Sequence, residues 1–323
     1  MKNIIFFLLL TTPAFAQKLP TRWDELIAAD WQRAMDSSSQ TCILPIGILE
    51  KHGPHAPFGS DLIHVREWAA RATQREYAVV FPDYFYGQIN EAKQQPGTFA
   101  LPARVVWDLL EATCEEIGRN GFKRIVIING HGSNPSLLRY FVQTQLERKR
   151  NYVVYFFEPG RDSAYLAKIQ TTRKTDPATD QHAGESETSS LLYLRPDLVK
   201  MDVATNESGK NLKRLSLPNL YTAMWWYAGY PNHYAGEGAK ASRELGKIIT
   251  ENTIESLVNA LKVVKKDTTT LALQNEYFGR VVGAPKSGLS LADELKKLKE
   301  FYDAGSLPKK EYEAARNKLL EKW

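Results

Sequence analysis

Cysteine is scarce: Cys42 and Cys114 are the two in 323 residues. They lie far apart, without the paired spacing of a zinc or redox motif, so a thiolate metal site is excluded. An oxidising compartment would allow one disulfide. Both cysteines sit in apolar surroundings, however, and are expected as buried free thiols. Long apolar runs are also lacking. The strongest, residues 4–10, is too short to span a bilayer. Lys2 precedes it and Ala14-Phe15-Ala16 follows, so residues 1–16 read as a secretory signal peptide cleaved after Ala16. A periplasmic or secreted protein beginning at Gln17 is expected, with no stable membrane span once the signal is removed. Strong charge of one sign is missing as well. The formal net charge is +5 at pH 7, and the basic residues are scattered rather than striped, which gives no basis for binding nucleic acid.

What the chain does have is a regular alternation of apolar strands and helices. Residues 41–49, 77–81, 122–129 and 152–157 read as buried strands. Residues 21–35, 62–74, 103–120, 135–149, 186–194 and 237–264 read as helices, the first with Trp23, Leu26, Ile27 and Trp31 inward. Such an order predicts an α/β protein with a mainly parallel sheet covered on both faces. Right-handed crossovers then bring successive strand ends to one edge. Residues 17–264 form the main domain. Residues 265–290, punctuated by Thr, Gly and Pro, read as a linker. Residues 291–323 read as a small helical hairpin broken at Gly305. Its first helix carries Leu291, Leu295, Leu298 and Phe301 on one stripe, and its second carries Tyr312, Ala315, Leu319 and Trp323.

Histidine numbers only six, yet four lie in glycine-flanked loops at predicted strand ends or helix starts. In Glu50-Lys-His52-Gly-Pro-His55, the acid and the first imidazole share one face of an extended chain, and Asp61 follows beyond a Gly/Pro turn. Carboxylate and imidazole donors suit Zn, Mn or Fe; a solvated loop holding a chance Glu and His is the bland alternative. Asn129-Gly130-His131-Gly132-Ser133-Asn134 follows the strongest strand. It reads either as a ligand loop or as an idle turn histidine. His182-Ala-Gly-Glu185-Ser-Glu187 opens a helix, where the dipole favours both acids regardless of function. It does not favour a charged His182, so a neutral His182 acting as base or ligand is expected. Trp225, Trp226 and His233 are candidates to wall a substrate pocket, with core packing as the alternative. His64, in a helical stretch, reads as structural.

Taken together, Glu50-x-His52-Gly-Pro-His55 with Asp61, Asn129-Gly130-His131-Gly-x-Asn134 and His182-Ala-Gly-x-x-Glu187-Thr-Ser189 resemble the creatininase (creatinine amidohydrolase) family. Gln95-Pro96-Gly97-Thr98 is similar to that family's Pro-Gly-Thr loop. The resemblance implies a three-layer α/β/α fold and two divalent metal ions, Zn or Mn, with Fe as a further option. It implies that Asp61 bridges the ions, Glu50 and His131 complete one, His52 binds the other, and Glu187 adds a carboxylate nearby. His182 matches the family's proton-handling histidine. A homo-oligomer is implied too. Creatininases carry Tyr-Glu after the motif histidine, where this chain has Gly132-Ser133. That departure argues against creatinine and places Ser133 among the substrate-pocket candidates. Residues 291–323 are similar to the short C-terminal (SHOCT) domain, which implies assembly or docking. The expected activity is metal-dependent hydrolysis of a non-peptide amide in a small molecule, cyclic amides included. A metallopeptidase for a small peptide and a metal-stabilised scaffold assembling through its hairpin are the alternatives.

Overall fold

The computed structural model describes residues 18–281 and 291–322. The signal-peptide reading, residues 282–290 of the expected linker and Trp323 lie outside the described residues. Four strands form the sheet: β1 (Thr41–Ile46), β2 (Val79–Val80), β3 (Arg124–Asn129) and β4 (Val153–Phe156). Their order is β2-β1-β3-β4 and each pairing is parallel. β1 is buried along its whole length, as a strand covered on both faces must be. Side-chain alternation divides the core in two. Cys42, Leu44, Ile46, Ile125 and Ile127 face α3 (Ala103–Arg119) and α4 (Asn134–Thr144), meeting Leu110, Cys114, Ile117, Leu138 and Phe141. Ile43, Val126 and Ile128 face α2 (Ser60–Thr73) and α8 (Arg243–Lys266). There Leu62, Val65, Ala69 and Ala72 repeat at three- and four-residue spacing, as do Ile254, Leu257, Val258 and Leu261. Each fully buried aliphatic side chain contributes roughly 1.5–3 kcal/mol. The product is the expected three-layer α/β/α sandwich. Both cysteines are buried and free, and burial pushes both thiols up, away from thiolate chemistry.

The helix read over residues 135–149 ends at Thr144, the one read over 237–264 starts at Arg243, and the strand read over 77–81 is only Val79–Val80; four further departures are larger. Residues 21–35 are not one helix: two short 3-10 turns, Trp23–Glu25 and Ala28–Asp30, precede α1 (Trp31–Ser37). A straight helix would separate Trp23 and Trp31 by about 12 Å along its axis. Their rings instead sit 5.0 Å apart, both against Phe122, so aromatic packing overrides helix propensity and leaves Ile27 63% exposed. Second, a helix that the pattern did not signal, α5 (Ser163–Thr172), follows β4, with Asp162 capping it by accepting from Tyr165 N. Third, the expected linker begins with the last turn of α8 and then forms α9 (Thr269–Arg280). Its Leu, Ala, Gln and Glu residues outweigh the threonines that punctuate it. Fourth, Phe301 is exposed, and Tyr302 takes the inner place, stacking on Tyr312 at 4.6 Å.

The chain divides into two compact units. Among the described residues, 18–145 join Arg150–Asp267 in the first; Leu146–Lys149 join 268–281 and 291–322 in the second. The second holds α9, α10 (Leu291–Asp303) and α11 (Lys309–Lys322), with Gly305 turning the α10–α11 hairpin at φ +72°. No helix among the described residues is long and apolar enough to cross a membrane.

Candidate metal centre

Ile46 pairs with Asn129, so the loops after β1 and β3 leave from the same edge of the sheet. The first loop folds back on itself: Glu50 N donates to Phe58 O, and His52 bridges to Ala56. Its return leads into α2, whose first turn holds Asp61. Glycine makes the convergence feasible. A Cβ on Gly47 would lie 2.4 Å from Leu62 Cα, and one on Gly130 2.3 Å from Asp61 O. The start of α2 therefore presses directly on both strand ends. Two asparagines shape the His131 loop. Asn129 Nδ2 donates to His131 O, His131 N donates to Asn129 Oδ1, and Asn134 Nδ2 donates to Asn129 Oδ1. The third motif arrives through a short antiparallel bridge, His182 to Ala235, which also carries His233 to the cluster. Ala183 and His233 both have φ near +57° (55° and 57°), a conformation uncommon outside glycine.

Glu50, His52, Asp61, His131, His182 and His233 are all buried and meet at one point, with Glu187 at its edge. Asp61 is central, because its two oxygens face different imidazoles. Oδ1 lies 3.2 Å from His52 Nε2 and Oδ2 lies 3.3 Å from His131 Nδ1. Glu50 Oε1 is 2.7 Å from His131 Nδ1 and 3.9 Å from His52 Nε2. Glu187 Oε2 lies 3.9 Å from His52 Nε2. Donor atoms around one tetrahedral zinc are about 3.3 Å apart, given bonds of about 2.0 Å, so these spacings fit a shared cation. Glu50 Oε1 and Asp61 Oδ2 are buried without a hydrogen bond. Every ion-pair partner of Glu50 and Asp61 among the described residues is a histidine. Buried carboxylates left so are the donors a divalent cation satisfies. Two donor groups of ligand geometry result: Glu50, Asp61 and His131, and Glu50, His52 and His182.

Hydrogen bonds assign the proton positions. Trp226 Nε1 only donates, and its bond to His233 Nδ1 (2.7 Å) leaves the His233 proton on Nε2, which donates to Glu50 Oε2 at 2.5 Å. The Trp226–His233 relay thus turns Glu50 Oε1 toward His131. His52 Nδ1 donates to Glu50 O, leaving Nε2 toward Asp61. His182 Nε2 donates to Lys51 O (2.8 Å), leaving the Nδ1 lone pair 3.7 Å from Glu187 Oε2. With Nε2 engaged by Lys51 O and the Nδ1 lone pair open toward Glu187, His182 is placed to accept a proton. Relays of this kind fix ligand orientation. His233→Ala is therefore expected to weaken metal binding about 10- to 100-fold, read by chelator competition; unchanged affinity would remove the relay's role.

Burial opposes charge throughout the cluster. It is outweighed at His52 by Asp61, Glu50 and Glu187, which push the imidazole up to about 10, and at His131 by Glu50 and Asp61, which hold it well above its ordinary value. Burial would raise Glu50, but the charged His131 beside it brings it well below the carboxylate range. At His182 burial wins and the ring is neutral near pH 7, as expected from its sequence position. In metal-free protein, His52 therefore contributes stability that is complete below about pH 6.5 and is lost as pH rises toward about 10. A divalent cation must displace these protons. Metal affinity is expected to rise with pH across that window, and metal addition near about pH 8 should release protons. Calorimetry in buffers of different ionisation enthalpy measures both; metal uptake without proton release would contradict the assignment.

The remaining candidates lie around this cluster. His55 Nε2 donates to Thr188 Oγ1 (2.8 Å), which in turn donates to Ala183 O, so His55 ties the first loop to α6 (Glu185–Leu194). Burial and the charge on His52 push His55 down to about 4. Glu185 is buried and accepts from Lys174 N, Thr175 N and Thr175 Oγ1, a structural role. His64 stacks on Trp68 at 5.6 Å. Ser133 sits at the N-cap of α4 without a capping hydrogen bond. Trp226 touches the cluster through His233, whereas Trp225 is 43% exposed and donates to Tyr221. The cavity beside His182 and Glu187, about 730 Å³, is lined mainly by α5 and the loop after it. Sequence reading did not signal this wall; Asp162 followed by Leu166 and Ile169 was the available cue. Nor did it signal Glu91, whose Oε1 lies 3.9 Å from His131 Nε2.

Carboxylates and imidazoles gathered beyond one edge of a parallel α/β sheet are the donor set that a metal-dependent hydrolase on this fold requires. The creatininase family, described as creatinine amidohydrolase, matches residues 24–261, and the chain belongs to it. Creatinine amidohydrolase of Pseudomonas putida is 24% identical over 251 residues, 74% of this chain and 95% of that protein. A mycofactocin precursor peptide peptidase of Mycolicibacterium smegmatis is 32% identical over 186 residues, 54% of this chain and 64% of that protein. Among solved structures, the Zn-Zn type of a mutant creatininase has a TM-score of 0.65 at 21% identity, covering 77% of this chain and 100% of that one.

Proposed function

We propose that this protein is an exported hydrolase that cleaves an amide C–N bond with two divalent cations. The observation that carries the reading is Asp61, with one oxygen toward His52 and the other toward His131. Glu50, Asp61 and His131 would hold one cation; His52, Asp61 and Glu187 would hold the second. Zinc or manganese suits this donor set, iron being a third candidate, and the Zn-Zn relative supports zinc. Cations bound there supply Lewis acidity and a water of lowered pKa. The chain's own residues do the rest. His233 and Trp226 hold Glu50 in place. His182, neutral and anchored by Lys51 O, takes at Nδ1 the proton given up by the attacking water, whose oxygen joins the carbonyl carbon, and passes that proton to the nitrogen that leaves as the C–N bond breaks. Export rests on the pattern of residues 1–16, and a homo-oligomer rests on the family resemblance. A short peptide is the second substrate reading, favoured by the mycofactocin relative and by a cavity large enough for a few residues.

The test is His182→Gln, assayed against cyclic amides, formamides and short peptides. Turnover is expected to fall about 10²- to 10⁴-fold with metal content unchanged. Full turnover would contradict the proton-handling role, and loss of metal would reassign His182 as a ligand.

A further inference from the structure

The cavity beside the cluster has a polarity that its reactive wall does not explain. His182 and Glu187 form that wall. Arg161 stands just before α5, Tyr165 lies on α5 and Arg173 follows it, and all three line the same space. Burial raises the Tyr165 hydroxyl, and the charges of Arg161 and Arg173, which line the same cavity, oppose that rise. Arg173 is partly matched: it donates to Ser186 Oγ at 2.5 Å and lies 3.6 Å from Asp180, while its Nε is buried without a partner. Arg161 has no carboxylate partner among the described residues. Leu166, Ile169 and Ile249 supply an apolar flank.

We propose that this cavity selects substrates bearing a free carboxylate, held by Arg161 with Arg173 and Tyr165, while the scissile amide faces His182 and Glu187. The substrate class is then an amide with an anionic end, such as a short peptide with a free C-terminus. Arg173 is shared with Asp180, whereas Arg161 is solvent-exposed and has no carboxylate of its own among the described residues, so Arg161 is the guanidinium open to an incoming carboxylate, and planar guanidinium groups favour carboxylates. This inference rests on the proposed hydrolase reading for its reactive end, but the anion end is testable alone.

The matched probes are N-acetyltyrosine and N-acetyltyrosinamide, equal in size and differing in charge. Binding is measured by calorimetry on metal-free and on zinc-loaded full-length protein, because a carboxylate also ligates metal. Wild type is expected to prefer the carboxylate roughly tenfold or more in both forms. Arg161→Gln should erase the preference with metal content unchanged, and Arg161→Lys should keep part of it. Equal binding of the two probes by wild type would overturn the proposal. So would a preference that survives Arg161→Gln, or one seen only with zinc. A protein that holds no metal would sink the hydrolase reading while leaving the metal-free binding ratios intact, so the two failures are distinguishable.

Discussion

Asp61→Ala is expected to lose both cations on dialysis and to lower amide hydrolysis by at least about a thousandfold. Each factor of ten is about 1.4 kcal/mol, and metal charge stabilisation supplies several kcal/mol. Asp61 turns one oxygen to His52 and the other to His131, so its loss reaches both positions. The fold should survive. Without Asp61, His52 and His131 each lose a carboxylate that raises them, and both rings can become neutral in place. Elemental analysis and circular dichroism read the two outcomes separately. Retained metal together with retained rate would rule out the bridging role.

Gly130→Ala is expected to damage the site through the backbone alone. The new Cβ would lie 2.3 Å from Asp61 O, 2.9 Å from its carbonyl carbon and 3.1 Å from its Cα. Backbone atoms cannot swing aside as a flexible side chain does, so the first turn of α2 must shift from the end of β3. Overpacking of this kind costs about 1–3 kcal/mol, and a displacement near 1 Å costs about 10²-fold in rate. Gly132 is the control, since a Cβ there meets nothing within 4 Å. Gly132→Ala should behave as wild type in melting temperature and metal content. If Gly130→Ala melts and binds metal like Gly132→Ala, the close approach does not position Asp61.

Much of this was legible because it depends on local pattern. The apolar runs around Ile43 and Ile127 are buried on both faces, and such strands show as unbroken hydrophobic stretches. Glu50, His52, Asp61 and His131 were legible because glycine- and proline-rich loops at strand ends are where α/β proteins place chemistry. What was not legible depends on distant contacts. The break in residues 21–35 follows from Trp23 and Trp31 reaching Phe122, about ninety residues on in the chain. The sequence presents His233 as a pocket wall, because nothing local marks its bond to Glu50, 183 positions away. The cavity wall on α5 was missed for a related reason: its exposed helix carries only a narrow apolar stripe, Tyr165 and Ile169, and no residue of it is buried.

Anomalous diffraction from crystals of zinc-loaded protein, recorded on both sides of the zinc absorption edge, addresses the two-cation centre most directly. Two peaks are predicted, both touching Asp61, one beside Glu50 and His131 and the other beside His52 and Glu187. No peak, a single peak remote from Asp61, or zinc held elsewhere on the chain would contradict it.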